Sequence, residues 1–66
     1  MDAKEKLKML IREYGGTQSE FANIIGTTQP TIANWLAQKQ IPAGGIAKIC
    51  RALPEVSFEW LTGQSD

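Results

Sequence analysis

The sequence predicts an all-α fold, a compact five-helix bundle in one domain. Three observations predict it. Apolar residues recur at helical spacing in successive segments, and no segment alternates with period two for long enough to make a convincing strand. Residues suited to capping stand before the expected helices, and glycine or proline follows them. Finally, 66 residues leave room for a single domain, and 42% apolar residues supply a core that a disordered chain lacks.

The first helix is expected from about Asp2 to Tyr14. Ala3, Leu7, Leu10, Ile11 and Tyr14 form one stripe, Asp2 suits the N-cap, and Gly15–Gly16 ends the helix. The second starts at Thr17, whose spacing to Glu20 is that of a capping box. Phe21, Ala22, Ile24 and Ile25 supply its apolar face, and Gly26 stops it after about two turns. The third begins after a cap at Thr27 or Thr28. Pro30 is harmless in a first turn, where its missing N–H has no helical partner. Ile32, Trp35 and Leu36 lie on one side, and Thr31, Asn34 and Gln38 lie towards the other. That helix ends near Gln38 or Lys39, ahead of the extended Ile41–Pro42 step. The fourth covers roughly Gly45 to Leu53, with Ile46, Ile49, Cys50 and Leu53 as its stripe, and Pro54 stops it. A short turn from Ser57 through Phe58, Trp60 and Leu61 closes the domain at Gly63, and residues 64–66 are expected to fray.

Composition narrows the chemistry. Histidine is absent, and with it the commonest general base and metal ligand. A single cysteine, Cys50, excludes an intramolecular disulfide framework and a cysteine-based zinc site, and it fits a reducing cytoplasm. No apolar run spans a membrane, and the charged N-terminal stretch is no signal peptide. No cofactor, metal or small-molecule ligand is expected, and no enzyme. Net charge is zero, but its distribution is uneven. Residues 1–53 hold seven cations against four carboxylates, whereas residues 54–66 hold three carboxylates and no cation.

The informative segment is Thr17–Leu36. Two capped short helices meet at a glycine turn, and packing one across the other through Phe21, Ala22, Ile25, Ile32 and Trp35 stabilises both. That is a helix-turn-helix, spanning about residues 17–39. Its mechanical use is to push the start of the second helix into a DNA major groove. Gln29 and Asn34 carry amides that can hold adenine at N6 and N7 together. Thr31 adds a hydroxyl and a methyl, and Pro30 an apolar contact. The plain alternative is the polar face of a surface helix.

Residues 17–63 resemble the DNA-binding domain of the Xre/Cro-type repressors, the family of lambdoid phage repressors and Cro proteins. The stretches that carry the resemblance are TQSEFANIIGTTQPTIANW, the following KQIP, and VSFEWLTG. The resemblance implies a lambda-repressor-like fold and a bacterial or phage regulator, with double-stranded DNA as partner. It also implies a homodimer on a near-palindromic operator. Base reading would fall to Gln29, Pro30, Thr31 and Asn34. Phosphate positioning would fall to Thr17, Gln18, Thr28, Lys39 and Gln40. The Ala43–Gly44–Gly45 run replaces a bulkier helix start, where Gly44 and Gly45 offer bare N–H groups to a phosphate or else form a loop with no partner. Phe58, Trp60 and Leu61, at the end of the domain, are the dimer candidates.

The chain departs from the family in places. The family often has Glu where this chain has Leu36, Gly where it has Gln38, and Arg where it has Ile11, with that Arg paired to the Glu. Both partners of the expected ion pair are apolar here, so Ile11 and Leu36 are expected to pack together. Replacing Leu36 alone with Glu is then expected to cost roughly 3 kcal/mol or more, as for an unpaired buried charge. Lys4, Lys6, Lys8 and Arg12 read better as a solvated face with helix ion pairs than as phosphate contacts. Cys50 reads as core rather than a redox sensor, and Trp35 as a core anchor.

The expected function is therefore a sequence-specific DNA-binding regulator, a repressor in the first instance. Its low net charge predicts a shallow salt slope, with about 3–5 neutralised phosphates per subunit or fewer. The alternative is a protein-interaction or antitoxin-like module on the same fold, with weak or no DNA binding. Near-zero charge and the apolar C-terminal end favour that alternative.

Overall fold

The structure is a computed structural model describing residues 1–63. The reading of residues 64–66 as a frayed end lies outside the described residues. Five helices follow in order: α1 Ala3–Glu13, α2 Gln18–Ile25, α3 Gln29–Gln38, α4 Ala43–Ala52 and α5 Phe58–Leu61. No strand occurs among the described residues. No helix is long and apolar enough to cross a membrane.

The caps that start the helices follow from local chemistry. At α1, Asp2 Oδ1 accepts from the Glu5 N–H at 2.8 Å, and Glu5 Oε1 accepts from the Asp2 N–H at 3.2 Å. This reciprocal capping box forms at α1 and not, as expected, at α2. There Thr17 Oγ1 accepts from the Glu20 N–H at 3.1 Å, while the Glu20 carboxylate stays at the surface. At α3 the N-cap Thr28 has no side-chain cap bond. An N-cap hydroxyl usually accepts from the second or third helical N–H. The second helical residue is Pro30, which has none, and the Thr28 hydroxyl pairs instead with that of Thr31 at 2.9 Å. Ser57 Oγ starts α5 by accepting from the Trp60 N–H at 3.1 Å.

The core collects one stripe from each helix. Leu7, Leu10 and Ile11 come from α1, Phe21, Ala22 and Ile25 from α2, and Ile32 and Trp35 from α3. Ile41, Ile49, Leu53 and Leu61 complete it. Phe21, Leu7, Ile32 and Ile49 are its largest fully buried side chains. Helix α2 packs chiefly on α3, and next on α4. Between α2 and α3, Gly26 takes the left-handed conformation at φ 80°. A side chain there would be strained, so glycine lets the chain turn sharply into α3.

Three expectations are corrected. Helix α4 begins at Ala43 rather than Gly45, because its extended N-cap Pro42 lets Ala43–Gly44–Gly45 form the first turn. Ile24 is 44% exposed and off the core face, since the buried stripe of α2 runs through Phe21, Ala22 and Ile25. Lys6 is not on a solvated face. It is 2% exposed, its Nζ donates to the Trp60 carbonyl at 2.6 Å, and it lies 5.5 Å from the Trp60 ring centroid. A cation at the carbonyl end of a helix and over an indole face is favourable on both counts. Lys6 thereby ties α5 to α1.

Gly45 has a packing role. A Cβ there would lie 2.6 Å from the Trp35 ring, whereas a Cβ on Gly44 would meet nothing within 4 Å. Gly45→Ala should therefore lower the melting temperature, at a cost of about 1–3 kcal/mol from overpacking. Gly44→Ala should raise it, by up to about 1 kcal/mol from helix propensity. Thermal unfolding of the two variants checks the pair.

The Tyr14 phenol is held above the ordinary tyrosine pKa, first by its hydrogen bond to Glu55 and then by desolvation and the nearby carboxylate charges. Below the ordinary tyrosine range this bond contributes fully to stability, and the contribution is lost as pH rises through the raised folded value. In a spectrophotometric alkaline titration, Glu55→Ala should bring the Tyr14 transition back towards the ordinary value.

Candidate nucleic-acid interface

Helix α3 is anchored from behind and open in front. Ile32 and Trp35 are buried, while Gln29, Pro30 and Asn34 are exposed and Thr31 is half-buried. Three of the four expected base-reading side chains thus stand at the surface, and the fourth reaches it in part. All four come from the first six residues of one helix, and the N-terminal residues are the part that enters a groove in a helix-turn-helix.

The central contact is between two amides. Gln29 Nε2 donates to Gln18 Oε1 at 2.7 Å, which joins the first residues of α2 and α3. An amide nitrogen carries two hydrogens, so Gln29 keeps one donor and its own carbonyl oxygen. Those two atoms are the set that pairs with adenine N7 and N6. Gln18 keeps its amide nitrogen as a donor. Asn34 Oδ1 accepts a long bond from Gln38 Nε2 at 3.4 Å.

Around this pair the expected phosphate groups divide. Thr17, Thr28, Lys39, Gln40 and Gly44 are exposed, and Gln18 is half-buried. The Lys39 and Gln40 N–H groups are spent inside, on Leu36 O at 3.2 Å and Trp35 O at 3.1 Å. Their side chains, not their main chain, are what they can offer. Gly45 is buried against Trp35 and is withdrawn from the phosphate set. Among the dimer candidates Leu61 is 3% exposed and belongs to the core, because the single turn of α5 points one residue inward. Trp60 is half-buried against Lys6, and Phe58, 56% exposed, is the one that faces outward.

One group was undervalued in the sequence. A surface cleft of about 360 Å³ brings Lys8 and Arg12 of α1 beside Thr17 and Gln18, with Ile11 and Leu36 also lining it. Two exposed cations thus share a cleft with the start of α2. Their spacing, four residues apart on one helix face, was the available signal. Ile11 and Leu36 line this same cleft, but Leu36 is only half-buried. A carboxylate introduced there reaches water and the Lys8 and Arg12 charges. Leu36→Glu should therefore cost about 1–2 kcal/mol, less than a sealed site would demand. Chemical denaturation measures it, and pairing with the cations predicts a larger loss at high salt.

A family model described as bacterial toxin YdaS matches residues 7–63, and the chain belongs to that family. No curated protein and no solved structure matches it.

Proposed function

We propose that this protein is a sequence-specific binder of double-stranded DNA, a transcriptional regulator that acts by binding rather than catalysis. The start of α3 enters the major groove. Gln29, Thr31 and Asn34 read bases, with Pro30 in apolar contact. Gln18, Thr17, Thr28, Lys39, Gln40 and Gly44 hold the phosphates on either side, and Lys8 and Arg12 extend that hold along α1. Repression of a promoter on a near-palindromic operator, bound by two copies, is the simplest use of such a reader.

The observation that carries this reading is the Gln29–Gln18 bond at 2.7 Å. A glutamine free in solution loses side-chain entropy when it grips a base. Here the neighbouring amide already holds it, with the adenine-pairing atoms unspent. Phosphate contact by Gln18 would then be coupled to base contact by Gln29 through one hydrogen bond.

Selection from random genomic fragments, followed by sequencing, tests the proposal. The expected result is an enriched half-site repeated about one helical turn away. Gln29→Ala should cost about 1–3 kcal/mol and relax specificity at one base pair. Gln18→Ala should weaken all sites more evenly, and Arg12→Ala should lower the salt slope by about one. Failure of the folded protein to enrich any site at low salt would falsify the reading.

The family's description as toxins favours a second reading, in which the protein arrests growth through a protein target. Induced expression in bacteria separates the two. If growth arrest disappears in a Gln29→Ala, Asn34→Ala variant, DNA is the target. If arrest persists in that variant, a protein partner is.

A further inference from the structure

The Gln29 amide is committed on one side. Its Nε2 donates to Gln18 Oε1 at 2.7 Å, and Gln18 is itself half-buried. Turning the Gln29 amide over would set its oxygen against that of Gln18. What Gln29 has left is one N–H and one carbonyl oxygen. Guanine shows the major groove two acceptors, N7 and O6, and an amide with one donor left cannot satisfy both. Adenine shows N7 as acceptor and its N6 amino group as donor, which matches. Helix α3 carries no charged side chain from Gln29 to Gln38. It therefore has no cation to hold guanine instead, and no carboxylate to stand in for the Gln29 carbonyl. Beside Gln29, Pro30 is apolar, and the Thr31 hydroxyl is engaged with that of Thr28 at 2.9 Å. The contact to N6 thus depends on a single hydrogen. One N6 hydrogen of adenine pairs with thymine inside the duplex, and only the other faces the groove.

We propose that binding is switched off by methylation of one operator adenine at N6, and that Gln29 is the residue that senses the methyl group. This rests on the proposed reading of bases by α3. Such methylation replaces one N6 hydrogen with a methyl group taken from a methyl-sulfonium donor, and the hydrogen leaves as a proton. The hydrogen that remains is kept by the pairing to thymine, so the methyl group lies in the groove on the N7 side, where the Gln29 amide must sit. The Gln29 carbonyl then loses its donor and is shut off from water, which costs more than a contact simply not made. The bond to Gln18 prevents the amide from turning to a second way of holding the base. The regulatory input is a covalent state of the DNA, set by an adenine-N6 methyltransferase.

Fluorescence anisotropy of the whole protein on synthetic duplexes of the selected site is the test. The adenine to modify is the one at the base pair whose identity Gln29→Ala relaxes. N6-methyladenine there should weaken wild-type binding about tenfold or more. N6-methyladenine at the other adenines of the site should leave it nearly unchanged. Gln29→Ala should bind the methylated and unmethylated duplexes alike, with circular dichroism to confirm that it folds. Wild-type affinity that ignores the methyl group at that adenine overturns the proposal and leaves the DNA-binding reading standing. So does a selected site with guanine at that base pair. So does a Gln29→Ala protein that still discriminates, because another side chain then meets the methyl group. If no site is selected at all, the reading and the proposal fall together.

Discussion

Helices of eight and ten residues do not hold their shape in water by themselves. The constraint on which this molecule rests is that α2 and α3 bury one another. Phe21, Ala22 and Ile25 come from one side, Ile32 and Trp35 from the other. The left-handed turn at Gly26 fixes where the second helix begins, and the Trp35 ring fixes how it is rotated. Trp35 in turn lies against the bare backbone of Gly45 in α4. The outward edge of α3 is therefore positioned from behind, through a packed chain that keeps most of its polar side chains at the surface.

Much of this was legible in the residue order. Stripes at helical spacing marked the core of α1 and α4, and the capping residues marked where α1, α2 and α5 begin. What escaped was whatever depends on contacts between distant segments. Lys6 looks like one more surface cation until α5 folds back and places the Trp60 carbonyl above it. Gly45 looks like loop punctuation until the indole of Trp35 fills the space beside it. Ile24 looks like core because it adjoins Ile25, yet adjacent residues on a helix point about 100° apart, and the buried stripe through Phe21, Ala22 and Ile25 leaves Ile24 outside it.

The candidate interface divides in the same way. Each of Gln18, Gln29, Thr31 and Asn34 could be named from its place relative to a helix start. The bond between the two glutamines, eleven residues apart, could not, since it exists only once α2 lies across α3. The cleft that gathers Lys8 and Arg12 beside Gln18 is likewise a product of α1 packing on the pair. Net charge, summed over the chain, hides this. All seven cations lie in residues 1–53, against four carboxylates, while residues 54–66 hold carboxylates alone, and a total of zero conceals that uneven distribution.

Lys39 ends α3 in the left-handed conformation, at φ 56°, the one non-glycine residue with positive φ among those described. A side chain in that conformation costs roughly 1–2 kcal/mol, which glycine would largely avoid. Lys39 is the C-cap of α3, and a cation at the negative end of a helix dipole offsets part of such strain. Anyone engineering the domain for heat resistance would reach first for glycine here, and would gain robustness by discarding a surface cation that the proposed function assigns to phosphate contact. Durability and grip compete for the same position.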